Sequence, residues 1–273
     1  ECTNACTVAE CGDGIVQVGE LSQTQKVFPD DLSNMAGLSG TPVSIDGDTM
    51  IIGYDRDSEQ ASQSGSAYIY TRVEGVWQQT TKLTADDAVQ NHMFGKDVAI
   101  SGNTALVSAR EQQFGNDRGS VYVFTLGQGG WAQTAKLTAS DAADNQIFGW
   151  SLDLDGDTAV MGTFETPAGG QAYVFSRNGG VWAQTAIITA NDVAQSDGFG
   201  RSVAIDGERI VVGSSGNTAN EVNDGAGYVF ERVGGNWGQT AKLIANDGEE
   251  ADALGSSVAI DGDQIILGAP ESD

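Results

Sequence analysis

Along most of the chain, short stretches in which apolar and polar residues alternate, or in which apolar residues run together, are separated by turn residues. In the stretch that begins at Asp97, four such stretches follow one another: DVAI, TALVSA, SVYVF and WAQTAKLTA. Alternation with a period of two, bounded by glycine-rich turns, is typical of β-strands, and helix-length segments with a 3.6-residue period are missing. The pattern therefore predicts an all-β chain with four strands in each unit.

The same four-strand pattern returns along the chain. The pair Gln-Thr begins at residues 23, 79, 133, 184 and 239, and the pair Phe-Gly begins at residues 94, 148 and 199, with Leu254-Gly255 as a variant. The first hairpin of each unit turns at Asp-Gly or Ser-Gly, pairs that accept the positive φ of a two-residue turn. Antiparallel units of this length, repeated in series, predict the blades of a β-propeller.

The two ends of the chain together account for one further blade. The last unit ends after QIILGAP, its second strand, whereas IVQV (residues 15–18) and LSQTQKVF (residues 21–28) have the pattern of a third and a fourth strand. We therefore predict five blades within residues 15–273, closed by pairing of N- and C-terminal strands in one blade, because closure removes exposed sheet edges. Residues 1–14 form a separate cysteine-rich segment.

Three stretches carry a resemblance to a known family. FGKDVAISGNTALVSA, FGRSVAIDGERIVVGS and LGSSVAIDGDQIILGAP resemble FG-GAP repeats, the blades of integrin-α-type propellers, in the form common in bacterial secreted proteins. The resemblance runs from about Leu21 to the end of the chain. Propellers of that family usually have seven blades, so the alternative to a five-bladed ring is that this chain is part of a seven-bladed one.

The N-terminal segment has a resemblance of its own. CTNACTVAECGDGIVQVGE is similar to the cysteine-rich repeats of large bacterial surface proteins, and it departs from them after Glu20. Cys2, Cys6 and Cys11 are disulfide candidates, and cysteines this close together suggest an oxidising compartment. We therefore expect an extracellular or cell-surface protein, in which the odd cysteine stays unpaired or bonds outside the chain.

The chain is strongly acidic. Its 273 residues include 13 Lys and Arg against 38 Asp and Glu, a net charge of −25. Such a surface repels phosphate, which argues against a nucleic acid or an anionic membrane as partner and favours cations or basic partners, unless the acid serves solubility alone. No apolar run reaches 18 residues and no signal-peptide pattern begins the chain, so we expect no membrane insertion and a mature protein or an excised piece.

Candidate binding residues follow from the order of the strands. In an antiparallel blade, the loop between strands two and three lies at the same end as the link to the next blade, and these loops vary while the strands hardly change. Trp150 stands where other units have Lys96, Arg201 or Ser256, which indicates either an exposed aromatic for binding or a structural residue. The candidate ligand-binding residues are Trp150, Lys96, Arg201, Arg110 and Phe114.

The FG-GAP resemblance implies Ca²⁺, because integrin-type loops chelate this ion with carboxylates. The nearest matches to a chelating loop are YDRDSE and EVNDG. Ca²⁺ is therefore the one cofactor that we consider. The candidate ligands are Asp55, Asp57, Glu59, Glu221, Asn223 and Asp224.

Two further sets recur in register and are interpreted as structural. An Asp follows each Gln-Thr pair at a constant distance, and we expect it to cap a strand end or a turn rather than to form a cation-binding ring. A Trp begins the fourth strand of four units, and we expect it to pack between blades. The residues are Asp31, Asp87, Asp141, Asp192 and Asp247, and Trp77, Trp131, Trp182 and Trp237.

Enzyme chemistry has few residues to use. His92 is the only histidine available to a Ser-His-Asp arrangement, and no phosphate-binding loop is present. We therefore expect a non-enzymatic extracellular recognition or adhesion module that binds a protein or a glycan. One alternative is a structural subunit of an extracellular assembly or filament, which implies self-assembly. The other is a carbohydrate-active enzyme that uses carboxylates at the end of the blades where the loops between strands two and three lie.

Overall fold

A computed structural model describes residues 5–6, 21–22, 25–31, 41–111, 117–163, 169–217, 224–249 and 251–270, with backbone alone for the first two ranges. All regular secondary structure in these ranges is β-strand, which confirms the all-β prediction. None of these ranges contains a helix long and apolar enough to cross a membrane.

Antiparallel sheets follow one another along the chain and form the blades. Strands β1 (Ala5–Cys6) and β2 (Leu21–Ser22) pair with each other. Blade 1 contains β3 (Val43–Asp46), β4 (Thr49–Tyr54), β5 (Ser66–Val73) and β6 (Val76–Leu83). Blade 2 contains β7 (Phe94–Ser101), β8 (Thr104–Ala109), β9 (Ser120–Gly127) and β10 (Gly130–Leu137). Blade 3 contains β11 (Ser151–Asp155), β12 (Thr158–Thr163), β13 (Gln171–Asn178) and β14 (Val181–Ile188).

Blade 4 contains β15 (Phe199–Asp206), β16 (Arg209–Ser214), β17 (Ala226–Val233) and β18 (Asn236–Leu243). Blade 5 consists of β19 (Ser257–Asp261) and β20 (Gln264–Gly268), which pair with each other. Four strands per unit are thus confirmed in blades 1 to 4. In blade 2 the third strand is longer than the apolar pattern predicts, because its hydrogen-bonded ladder with the fourth strand continues through polar residues to a two-residue turn.

The Asp-Gly turns join neighbouring blades as well as reversing the chain. Gly102 has a φ of +54°, as the sequence predicts for this turn. Its backbone N–H donates to the Asp46 carboxylate of blade 1 at 2.6 Å. The same contact recurs at blade 5, where Gly262 donates to Asp206 at 2.6 Å. Each first hairpin therefore accepts a hydrogen bond from the next blade.

The Phe-Gly pair fills the space between blades. Phe199 is fully buried and packs edge-on against Tyr228 and Phe230, with ring centroids 5.6 and 6.0 Å away. Gly200 follows with a φ of +92°, and a Cβ there would lie 2.6 Å from the carbonyl oxygen of Gln171 in blade 3. A side chain cannot fit this close approach of two backbones, so the motif requires its glycine, whereas the aromatic position accepts Leu254 in blade 5.

The Gln-Thr pair has two functions that sequence reasoning missed. Thr134 is the extra residue of a β-bulge in β10, and its hydroxyl donates to the carbonyl of Val123 at 3.3 Å. The side chain of Gln133 accepts the backbone N–H of Asp86, in the link that leaves blade 1, at 3.1 Å. The sequence predicts outer-strand packing here, whereas the structure adds a clamp between blades. The equivalent glutamines are Gln79, Gln184 and Gln239.

Residues 25–31 lie on blade 1 as the end of a preceding fourth strand would. Asp30 donates its N–H to the Gln79 side chain at 3.0 Å, which repeats the clamp, and Val27 packs against Tyr68 and Tyr70. In the parts of the chain that the structure describes, however, β2 pairs with β1 and not with β20. Residues 15–18 lie outside the described residues, so closure of the ring by terminal strands stays a prediction.

Two apolar faces that are covered in the middle blades are uncovered at the ends. Val43 and Ile45 are 61% and 59% exposed, whereas their counterparts in blade 2, Val98 and Ile100, are buried. Ile266 in blade 5 is 69% exposed, although its counterparts are fully buried. These counterparts are Ile51, Leu106, Val160 and Val211. Blades 1 and 5 therefore each expose an apolar face of the kind that is buried between blades elsewhere in the structure.

Candidate functional site

The varied loops and the repeated links meet at one end of the blades. We call this end the upper face and define it by the described residues of the loops, 55–65, 110–111, 117–119, 169–170, 215–217 and 224–225, and of the links, 84–93, 138–150, 189–198, 244–249 and 251–256. Parallel bridges join the last residue of a loop to the Phe-Gly position of the next blade, as between Gly65 and Phe94. A loop of one blade therefore borders the first strand of the next.

Lys96, Trp150 and Arg201 hold the same position in blades 2, 3 and 4, two residues after the Phe of Phe-Gly, and we call them the rim residues. All three are partly buried. The Lys96 ammonium lies 5.6 Å from the centroid of the Trp150 ring, within the range of a cation–π contact. The same ammonium lies 3.9 Å from an Asp55 carboxylate oxygen. The structure thus brings together Lys96 and Trp150, which the sequence names as candidates.

The other two ligand-binding candidates have different outcomes. Arg110 begins the loop after β8, and its Nε and Nη2 donate to one oxygen of the buried Asp117 carboxylate at 2.9 and 2.8 Å. This double contact fixes the guanidinium at the upper face. Phe114 lies outside the described residues.

The candidate metal ligands of blade 1 surround a lysine. Lys82 Nζ lies 2.5 Å from Asp31 and 2.8 Å from Asp57, and it also contacts Glu59. These three acids each offer an oxygen within 4.8 Å of the others. Asp55 takes no part and lies beside Lys96. The structure therefore adds Asp31 to the set and places a cationic side chain among its carboxylates.

The ion pairs in this cluster control the ionisation of its members. Burial alone would raise the pKa of Asp57, but the hydrogen bonds from Lys82, Ser66 and the backbone of Glu59 together outweigh burial and hold that pKa below its usual value. Burial would likewise lower the pKa of Lys82, and the three carboxylates raise it instead. Because the ammonium already supplies the positive charge among these oxygens, the cluster as folded does not fit an additional Ca²⁺ ion.

The second candidate metal loop has one described member. Asp224 is buried, and its backbone carbonyl accepts the N–H of Leu254 at 3.0 Å. Glu221 and Asn223 lie outside the described residues. This loop therefore offers no described ligand set.

The recurring Asp residues bind side chains of the next blade. Asp87 accepts a hydrogen bond from the Tyr122 hydroxyl at 2.8 Å and pairs with Lys136 at 2.7 Å. Asp247, in the link after blade 4, is exposed. The partners of the others are Lys82 for Asp31, Tyr173 for Asp141 and Lys242 for Asp192. In blades 1 to 4, a Tyr, a Lys or both thus hold the link that precedes the blade.

The four register tryptophans are partly buried at blade boundaries. Trp131, Trp182 and Trp237 pack against the cores that lie between successive blades, and Trp77 packs on the core that includes Val27. Three of them also carry an arginine over the ring, at 5.3 to 6.0 Å from the centroid. These arginines are Arg72, Arg177 and Arg232.

His92 is enclosed between blades 1 and 2. Its Nε2 lies 3.0 Å from the Tyr122 hydroxyl and 3.4 Å from Glu111. The hydroxyl of the buried Ser120 donates to Glu111 at 2.7 Å, so the acid and not the imidazole binds the serine. Despite burial, hydrogen bonds from His92, Lys136 and Ser120 lower the pKa of Glu111 to about 2. The order of contacts differs from a Ser-His-Asp triad, in which the histidine stands between serine and acid.

The cysteine predictions fall largely outside the described residues. Cys6 belongs to β1, of which the backbone alone is described, and Cys2 and Cys11 lie outside the described ranges. Their pairing stays a prediction.

Comparison with known proteins identifies the repeat. A family model described as FG-GAP repeat matches residues 21–70, 77–124, 131–175, 182–230 and 237–273, one match for each unit. No curated protein matches the chain. Among solved structures, that of YjhT is similar with 12% identity and a TM-score of 0.48, and the match covers 83% of this chain and 70% of that one.

Proposed function

Because the chain belongs to the FG-GAP repeat family, we propose that it is a non-enzymatic extracellular recognition module that binds a protein or a glycan through its upper face. The repeated clamps and buried Phe residues make a rigid scaffold. On this scaffold stand loops whose sequences differ from blade to blade, and such loops are where binding sites usually lie.

The observation that carries the proposal is Trp150 at the rim. At this position the blades before and after carry Lys96 and Arg201, and blade 5 carries Ser256. An indole costs little conformational entropy when it binds and presents a large contact area, so aromatic residues supply much of the binding energy at recognition sites. Its partial exposure on the upper face supports a role in contacting a ligand.

Two features support a function without catalysis. His92 is buried and contacts Tyr122 and Glu111, where a substrate would not reach it without opening the blade boundary. Several upper-face carboxylates are engaged by lysines, as Asp31, Asp57 and Glu59 are by Lys82. A carboxylate held in an ion pair is a weak general base, because the pair stabilises its charged form.

An extracellular or cell-surface location is part of the proposal. FG-GAP repeats are typical of extracellular proteins, and three cysteines within eleven residues fit an oxidising compartment. The strongly negative surface suits a protein that must stay soluble without a partner.

The test is binding by the purified protein to an array of glycans and peptides, followed by affinity measurements on the hits. We expect Trp150→Ala to weaken a hit at least about tenfold, the effect of a hot-spot aromatic, with the melting temperature unchanged. Trp150→Phe should retain most of the affinity, and Val233→Ala, at an exposed position on the opposite end, serves as the control. Hits that respond to neither Trp150→Ala nor loop exchanges would refute the upper-face site.

A second candidate function is a structural subunit of an extracellular assembly. The exposed apolar faces of blades 1 and 5 favour it, because copies of this chain could stack these faces head to tail and extend into a filament. Sedimentation at high protein concentration tests this candidate, and a strictly monomeric profile would eliminate it.

A further inference from the structure

The rim is a place where positive charge collects on an acidic protein. The chain has 13 basic residues against 38 acidic ones. Two of the three rim residues are nevertheless cationic, and a third cation, Arg110, begins the loop that borders the rim position of blade 3. A local cationic cluster around an aromatic side chain, within a net charge of −25, calls for a physical explanation.

The repeat indicates how these residues are arranged. Asp55 is the first residue after β4, and it approaches the rim residue of the next blade, Lys96, to 3.9 Å. Arg110 is the first residue after β8, so the same register puts it beside Trp150. Lys96, in the preceding blade, lies 5.6 Å from the centroid of the Trp150 ring, and Arg201 holds the equivalent rim position in the following blade. One cation thus contacts the indole, and the repeat indicates two more, Arg110 and Arg201, at neighbouring positions of the rim.

Lys96 keeps more of its charge available than the lysines of the fourth strands. The nearest Asp55 oxygen is 3.9 Å from its ammonium. By comparison, Lys136 has carboxylate oxygens at 2.7 Å and Lys242 has one at 2.8 Å. An ion pair at the longer distance is weaker and leaves the ammonium able to pair with an incoming anion.

We propose that the rim binds an acidic saccharide, with a sugar ring against Trp150 and its carboxylate or sulfate group at Lys96 and Arg201. This inference rests on the proposed function and names its ligand class. The apolar face of a pyranose matches the flat indole surface, and a guanidinium binds carboxylate or sulfate oxygens in pairs. An acidic peptide would satisfy the charges but has no equivalent of the flat ring, so the saccharide is favoured.

The negative charge of the rest of the protein does not prevent this binding. At physiological ionic strength, the interactions of exposed charges are largely screened beyond about 8 Å. A bound anion at the rim therefore interacts mainly with the charges closest to it, which are the cations Lys96, Arg110 and Arg201 and the acids Asp55 and Asp117 that pair with two of them. The distant acids slow the approach of a polyanion, which makes short oligosaccharides the better ligands.

The experiment compares a matched pair of ligands by calorimetry on the full chain. The probes are trigalacturonate and its methyl ester, which has the same sugar rings but carries uncharged methyl esters in place of the carboxylates, together with a sulfated disaccharide and a tetraglutamate peptide. We expect the acid to bind at least tenfold tighter than the ester. Lys96→Gln and Arg201→Gln should each weaken the acid about tenfold and leave the ester unchanged, whereas Trp150→Ala should weaken both. Arg72→Gln, on the lower hairpin of blade 1, is the matched control.

The outcomes separate this inference from the function on which it rests. Equal binding of acid and ester, with dependence on Trp150, would overturn the acidic ligand class and leave the recognition site intact. Binding that ignores Trp150, or no binding of any saccharide probe at millimolar concentration, would overturn the saccharide site itself. Tighter binding of tetraglutamate would show that the ligand is an acidic peptide. A preference between galacturonate and the sulfated sugar identifies which anion the rim receives.

Discussion

Lys82→Met should convert the ion-pair cluster of blade 1 into a site that responds to Ca²⁺. The substitution removes the ammonium and keeps most of the side-chain volume. Asp31, Asp57 and Glu59 then face one another with oxygens within 4.8 Å and no cation among them. Methionine cannot donate a hydrogen bond, so the carboxylates must repel one another, separate or bind a cation.

The size of the effect follows from the exposure of each acid. Asp31 and Glu59 are at the surface, where an ion pair contributes roughly 0–1 kcal/mol. The Asp57 side chain is 10% exposed, and removing the partner of a buried charge costs about 3–5 kcal/mol. Since the cluster is partly solvated, we expect a net loss of about 2–4 kcal/mol, which corresponds to a fall in melting temperature of roughly 5–15 °C for a chain of this size.

The assay is a thermal melt in EDTA and in millimolar Ca²⁺. At a hundred times its dissociation constant, an ion adds about 2.7 kcal/mol, so Ca²⁺ should restore several degrees to the variant and leave the natural chain unchanged. Lys242→Met is the matched control, because Lys242 also lies over a tyrosine ring but pairs with the single carboxylate of Asp192. The reasoning fails if Ca²⁺ raises the melting temperatures of Lys82→Met and Lys242→Met equally, or if Lys82→Met is no less stable than Lys242→Met.

Three further predictions concern the scaffold. Burial raises the pKa of Asp97 from 3.8 to about 7. Between these two pH values the folded chain therefore holds a proton that the unfolded chain has released. The free energy of unfolding should fall as pH rises through this range, by at most about 1.4 kcal/mol per pH unit. When the free energy of unfolding is measured by urea denaturation from pH 4 to 8, it should fall less steeply with pH in Asp97→Asn. An unchanged dependence on pH would contradict the assignment. Phe199→Ala should cost about 3–5 kcal/mol in urea denaturation, against little for the exposed Phe28→Ala, and equal losses would refute the packing role. The last variant combines Ile45→Cys and Ile266→Cys in a chain whose natural cysteines are replaced by serine. The two new cysteines should form an internal disulfide if blade 5 closes on blade 1. Disulfide-linked oligomers on a non-reducing gel would instead show stacking between copies.

Much of the fold could be predicted because its signals are local. The short apolar run TALVSA gives strand β8 with its bounds, since a run of this length between turn residues is a local signal for a buried strand. The Asp-Gly and Ser-Gly pairs give the hairpins, because the left-handed conformation of Gly47 or Gly102 is a preference of the residue itself. Prediction stopped at the chain ends, where the pairing of β2 with β1 joins short, polar stretches that any strand edge could accept.

The candidate site was predicted less completely, for a physical reason. The sequence names Trp150 because it departs from the residues that other units have at this position, Lys96 among them, and the structure shows the contact between the two. It also names Asp57 and Glu59 as a chelating loop, but the partner that changes the chemistry of this loop is Lys82, which belongs to an outer strand. Spacing along a loop reveals which acids are close, and it does not reveal which cation lies among them.

The sequence by itself determined the strands, the turns and the number of repeated units, because hydrophobic periodicity and backbone preference act within a few residues. The tertiary structure alone decided which side chains meet across blades: Gln133 with the backbone of Asp86, and Lys82 with Asp31. These partners are separated in sequence by about one repeat. Their contacts depend on how one sheet packs against the next, and packing is a property of the assembled blades.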